Sequence, residues 1–210
     1  MVESLAVTDR IKSLRDIREK FALEITHDSD FFPEWYAELP ELTESEQLTL
    51  ERLKRRYWYY ADDNAITEGT INIIMISPLL ELLSWCDPPF KLKAEKSVAV
   101  EIDDSETPLK GFIDGLVVQN QFWVVVIEAK RYGFNVSLAI PQTLAYMMAK
   151  PETETSVFGL VTNGEDYIFL KLNKQIKRYA LSKKFTLLNP QENEIFQVLQ
   201  AMKNIQASFL

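Results

Sequence analysis

Gly111-Phe112-Ile113-Asp114-Gly115-Leu116-Val117-Val118 and, after three residues, Phe122-Trp123-Val124-Val125-Val126-Ile127-Glu128-Ala129-Lys130 decide how this chain folds. Both stretches are rich in β-branched and aromatic residues, the composition of strands. The second is apolar on both faces, as a central strand of a sheet must be. Three polar groups interrupt this apolar pattern: Asp114, Glu128 and Lys130. An ionised carboxylate in such a strand costs several kcal/mol unless it is paired or binds a cation. Strand alternation places Glu128 and Lys130 on one face. Two carboxylates beside an ammonium suit a divalent ion, Mg²⁺ above all, that keeps its other positions for water and phosphate oxygens. The chemistry such a site serves is hydrolysis by a metal-activated water.

Register tests that reading. A two-residue turn at Gln119 and Asn120 opposes Asp114 to Val125 and turns it away from Glu128. A three-residue loop, Gln119 to Gln121, or a bulge brings both carboxylates to one face. Gly115 is a natural bulge residue.

Outward from this hairpin, Lys91 to Ile102 alternates as a preceding strand, while Leu138 to Ala149 reads as the helix that follows. Val157 to Val161 and Tyr167 to Leu172 read as strands around an Asn163-Gly164 turn, and Gln191 to Ile205 as a closing helix. Upstream, Thr67 is a suitable N-cap for a buried helix carrying Ile71, Ile74, Leu79, Leu82 and Leu83. Thr43 and Glu46 form a capping-box signature for a helix running to about Tyr60. Its tail, Lys54 to Tyr60, either stacks and neutralises a nucleic-acid strand or packs its aromatics inward; the second reading is preferred. Ile11, Leu14, Ile17 and Phe21 recur at helical spacing, followed by an acidic, aromatic loop through Phe31, Phe32, Pro33 and Trp35. The first third is therefore read as helical, and the whole as an α/β domain with a mixed sheet.

Composition narrows the function. One histidine, His27, excludes a His-rich metal site or a histidine catalytic pair, so any chemistry runs on carboxylates and lysines. One cysteine, Cys86, excludes an internal disulfide and a cysteine zinc site. There is no signal-peptide pattern and no span long enough for a bilayer, so a cytoplasmic protein without membrane attachment is expected. The net charge of −8 is unusual for a nucleic-acid binder. It is unevenly spread: nine carboxylates and no lysine or arginine between Glu24 and Glu51, six basic side chains and no acidic one between Lys171 and Lys184. Each run is either solvated surface or a face for a partner.

An aspartate in one strand and Glu-x-Lys ending the next, after one core helix and before another, resembles the PD-(D/E)XK nuclease superfamily. The elements from Thr67 to Leu172 match its αβββαβ order. Gln142-Thr143-Leu144-Ala145-Tyr146 resembles the Gln-x-x-x-Tyr motif of the RecB-like branch, both side chains on one helix face. Pro78-Leu79-Leu80, Trp85 and Leu160-Val161-Thr162-Asn163-Gly164 resemble the nuclease module of type I restriction R subunits. Ile113 stands where the family name has proline, and the first sixty residues lie outside the resemblance.

The resemblance implies a restriction-endonuclease-like αβββαβ core over residues 67–210, preceded by an N-terminal helical extension, residues 1–66. It implies Mg²⁺-dependent (or Mn²⁺-dependent) hydrolysis of DNA, with Asp114 and Glu128 as metal ligands. Glu68 corresponds to the family's acidic residue near the start of the first core helix, although it equally suits the helix dipole. Lys130 would orient the attacking water or stabilise the transition state, with Gln142 and Tyr146 positioning the lysine or a backbone phosphate. No Walker-type motif occurs, so a helicase activity is excluded. The competing reading is a nuclease-like fold serving as a non-catalytic nucleic-acid-binding or assembly subunit. In it, Glu128 and Lys130 are a structural ion pair, Gln142 a surface amide and Tyr146 a core aromatic. Glu95 is either a supporting carboxylate or surface. The aromatic segment Phe31 to Tyr36 is a candidate surface for a homodimer.

Overall fold

The computed structural model describes residues 6–63, 66–102, 108–119, 122–150, 156–189 and 191–209. The strands are β1 (Glu24–Ile25), β2 (Phe90–Val100), β3 (Leu109–Gln119), β4 (Phe122–Ala129), β5 (Val157–Thr162), β6 (Asp166–Asn173), β7 (Arg178–Leu181) and β8 (Phe185–Thr186). They form one mixed sheet of order β1-β7-β6-β5-β4-β3-β2, with β8 beside β6. The pairs β4/β5 and β1/β7 are parallel and the others antiparallel. The parallel β4/β5 pair requires a crossover, which α6 (Ile140–Met148) supplies.

Helices cover both sheet faces, which is why the central strands are apolar throughout. On one face α3 (Glu44–Ala61), α4 (Glu68–Ile71), α5 (Ser77–Leu82) and α7 (Glu194–Ala207) bury Leu50, Tyr57, Ile71, Leu79 and Val198 against Val117, Val125, Ile127 and Phe158. On the other, α1 (Val7–Arg10), α2 (Leu14–Phe21) and α6 bury Ile17, Phe21, Leu144 and Met147 against Leu116, Val118, Val126 and Val161. Each such side chain contributes about 1.5–3 kcal/mol. Among the described residues no helix is long and apolar enough to cross a membrane.

Local signals explain most helix starts. Thr43 and Glu46 form the expected capping box, and Thr67 caps α4 by accepting from the Thr70 N–H at 3.2 Å. Between α4 and α5, Asn72–Ile76 forms a π-helical turn. Proline has no N–H, so Pro78 leaves the Ile74 carbonyl without its helical donor; Arg56 Nη1 donates to it instead at 3.3 Å.

Three expectations are corrected. The first third is not wholly helical, because Glu24–Ile25 pairs parallel to β7 at the sheet edge. Leu14 is exposed on a helix that buries Ile17 and Phe21. The tail of α3 divides: Tyr57 is buried, yet Tyr59 and Tyr60 are exposed. The strands β7 and β8 leave no clear sequence pattern because they are short, and β7 sits inside the basic run that ends just before β8. Half of that run's six bases are matched to carboxylates. Lys171 pairs with Glu34, Lys183 with Glu194 and Lys184 with Asp166. The acidic run partly closes on it, since Glu34 belongs to one and Lys171 to the other. The aromatic segment is also used within the chain: Phe32 is buried and Trp35 packs edge-on to Phe185, leaving Tyr36 half exposed.

Candidate active site

Asp114 and Glu128 meet because of a bulge in β4. At the hairpin tip Gln119 opposes Phe122 and Val118 opposes Trp123, a register that continued inward would face Asp114 to Ile127. The register shifts between Val117 and Val118, after which Val117 opposes Val125 and Gly115 opposes Ile127. The extra residue is Val124. It and Val125 both pack on the α3/α7 face, although neighbours in a regular strand alternate. One step beyond Gly115 and Ile127, Asp114 then falls opposite Glu128, on the face that α6 covers. A bulge does rescue the geometry, but it lies in β4 and not at Gly115. An all-apolar run hides it, because Val-Val-Val reads the same with or without a slip.

A second irregularity lies on the other side of Asp114. Ala94 opposes Gly115 and Lys96 opposes Ile113, and between them Glu95 has φ 48°, left-handed for a non-glycine residue. Ile113 packs on the α6 face, the same side as Asp114, so the alternation of β3 is broken there. Strain of this kind, of order 1–3 kcal/mol, clusters at functional sites.

The polar groups close into a network. Asp114 Oδ2 accepts from the Ala129 N–H at 2.8 Å. Lys130 Nζ donates to Glu128 Oε1 at 2.5 Å, and Gln142 Nε2 donates to the same oxygen at 2.8 Å. Gln142 Nε2 also donates to the Tyr146 hydroxyl at 2.9 Å. The Lys130 backbone N–H is anchored on the Thr162 carbonyl at 2.7 Å, which fixes the end of β4 against β5. Four of the expected residues thus surround Glu128. Glu68 is exposed in the first turn of α4, and its charge acts on Asp114, Glu128 and Lys130. Glu95 is exposed, and its charge acts on Asp114. Among the described residues no group of three or more His, Cys, Asp or Glu side chains is placed to hold a metal ion.

Glu128 is the electrostatic centre. It is 1 % exposed, and its Oε2 is buried without a hydrogen-bond partner. Burial first, then the charge of Asp114, pushes its carboxyl up to about 8 against the pull of Lys130. Burial also raises Asp114, opposed by the Ala129 N–H and Lys130. Burial pulls the Lys130 ammonium down, but the attraction and hydrogen bond of Glu128 outweigh it and hold the lysine above its ordinary range. Tyr146 is pushed up to about 12 by burial and by Glu128, so its hydroxyl stays neutral. One lysine therefore does not balance two desolvated carboxylates. A buried carboxylate oxygen with no partner, beside a second carboxylate, is a donor set that fits a hard divalent cation.

Among solved structures, the fold is similar to a fragment assigned to the HsdR subunit of a type I restriction enzyme from Vibrio vulnificus YJ016. The TM-score is 0.40 and the identity 17%, over 67% of this chain and 26% of that one. The chain thus spans about a quarter of that protein's length. No family model matches the sequence, and no curated protein matches it.

Proposed function

We propose that this chain is a metal-dependent DNA nuclease of the restriction-endonuclease-like kind, with the site at Asp114, Glu128 and Lys130. The observation that carries this reading is the Glu128 carboxylate. It is buried, it has one orphaned oxygen, and it lies across the bulged ladder from Asp114. Glu34 and Asp166 also bury one unpaired oxygen each, but Glu128 is set apart by near-complete burial opposite a second carboxylate, Asp114. The succession α4–α5, β2, β3, β4, α6, β5 supports the core that the resemblance implies.

Asp114 and Glu128 would hold Mg²⁺ or Mn²⁺, and the charge of Glu68 acts on both. When bound, the ion supplies a water acidified for attack and positive charge against the phosphate oxygens. The chain's own residues do the positioning. Lys130, tethered through its backbone to Thr162, presents an ammonium at Glu128 Oε1 that can orient a water or stabilise charge on a phosphate oxygen. Gln142 holds Glu128 Oε1 and links it to Tyr146, so the carboxylate keeps one rotamer. Tyr146 supports the amide from the buried end of α6.

The test is cleavage of plasmid and single-stranded DNA with Mg²⁺ or Mn²⁺, against Lys130→Ala. We expect at least a roughly 100-fold loss, the scale of lost acid–base assistance. Lys130→Arg should not restore activity, because a planar guanidinium does not replace a compact ammonium. One observation favours a second reading: Lys130 Nζ lies 2.5 Å from Glu128 Oε1, the contact of a structural ion pair. On that reading the chain binds nucleic acid without cutting it. Lys130→Ala then changes melting temperature, and wild-type protein shows no metal-dependent cleavage.

A further inference from the structure

We propose that Lys91, Lys93 and Lys96 on the edge strand β2 form a phosphate track that lays one nucleic-acid strand across the carboxylate site. The inference rests on the nuclease reading for the identity of the site, but its binding surface is tested separately.

The register places these lysines on the active-site face. Lys91 opposes Val118 and Lys93 opposes Leu116, and both partners pack under α6. Lys96 opposes Ile113, which packs on the same face. In a regular strand residues 93 and 96 point to opposite sides. The left-handed turn at Glu95 cancels one alternation, so all three align. Without it, Lys96 would face the other side of the sheet. The same turn lies opposite Asp114, so the row passes directly beside the carboxylate pair.

All three side chains are exposed, and none forms an ion pair among the described residues. In contrast, Lys171, Lys183 and Lys184 are matched to carboxylates. These three positive charges stand beside the site without a carboxylate partner, although the chain carries a net charge of −8. Strand rise of about 3.3 Å per residue sets Lys91 and Lys93 roughly 6.6 Å apart and Lys96 roughly 10 Å further. A linear row of ammonium groups at this spacing complements the regular phosphates of one strand, without reading its bases. The ordinary alternative for lysines on a sheet edge is to prevent edge-to-edge pairing of copies.

The experiment measures binding of fluorescein-labelled DNA of about 20 nucleotides, single-stranded and duplex, in EDTA at neutral pH over a salt series. Wild-type protein is compared with the Lys91→Gln/Lys93→Gln/Lys96→Gln triple variant. Loss of three phosphate contacts should lower the slope of log K against log salt by about 2.7 for duplex or about 2.1 for single strands. The melting temperature should stay unchanged, since the side chains are exposed. Should the triple variant not fold, Lys93→Gln alone should lower the slope by about 0.9 or 0.7. An unchanged slope overturns the proposal. So does wild-type protein that fails to bind DNA at low salt. An unchanged slope together with self-association of the triple variant in light scattering identifies the lysines as edge guards. Because EDTA removes cleavage, a wild type that binds through these lysines but never cuts DNA would refute the nuclease reading and leave the track standing.

Discussion

Glu128 should make the metal-free protein less stable as pH rises through neutrality. Its ordinary value is 4.5 and the folded value about 8, with burial the largest cause. The folded chain therefore binds this proton more tightly than the unfolded chain. Between about pH 4.5 and 8 the folded state carries more protons, so stability falls with increasing pH. At about 1.4 kcal/mol per pH unit, that interval corresponds to a loss of up to about 5 kcal/mol. Domains of ordinary stability have about 5–15 kcal/mol in total, so the effect is large. Asp16, Glu46 and Glu194 are held low, chiefly by hydrogen bonds that outweigh their burial, and their contributions are lost only in acid, below this window. Asp114 and Glu165 are raised by burial and act in the same direction, so a variant is needed to isolate Glu128. The assay is urea unfolding in EDTA from pH 5 to 8.5, wild type against Glu128→Gln. The wild-type midpoint should fall steeply, while the variant, which cannot ionise, should fall much less. Parallel curves would refute the claim that a desolvated carboxylate dominates the site. Millimolar Mg²⁺ should restore wild-type stability at pH 8, because a cation that binds only the folded state stabilises it by mass action.

Three other outcomes are expected. Gly111→Ala should disturb both fold and site, because an added Cβ would lie 2.5 Å from Tyr146 Cε1; near-ultraviolet circular dichroism and a melt should show a loss of about 1–3 kcal/mol. Gly164→Ala should cost more than about 1 kcal/mol by thermal unfolding, since φ is 85° there and the new Cβ would sit 2.6 Å from Ile71 Cδ1. Gln142→Leu removes the donor shared by Glu128 and Tyr146, so cleavage should slow with KM little changed, alongside about 1–2 kcal/mol lost in denaturant titration.

Much of the plan was legible in the sequence because it depends on local periodicity. The capping signals at Thr43 and Thr67, the apolar run Phe122 to Ala129 and the helical spacing of Gln142 and Tyr146 each specify an element without reference to the rest. The polar residues Asp114, Glu128 and Lys130 stood out because apolar strands exclude uncompensated charge. What the sequence left open was decided by tertiary contacts. Strand register is a pairwise property, and nothing in Val124-Val125-Val126 says which valine is the extra one. The two sheet faces settle it, by taking Val124 and Val125 to one side. The left-handed turn at Glu95 is equally silent, for glutamate has no intrinsic preference for it; it appears only in the folded sheet, between the pairs Ala94–Gly115 and Lys96–Ile113. The short strands β7 and β8 exist only because β6 offers an edge to pair with. The basic run lost its apparent meaning once folding delivered Glu34, Glu194 and Asp166 to its lysines, charges up to 137 positions away in sequence. Local chemistry named the residues of the site, whereas register, a long-range quantity, determined that they meet.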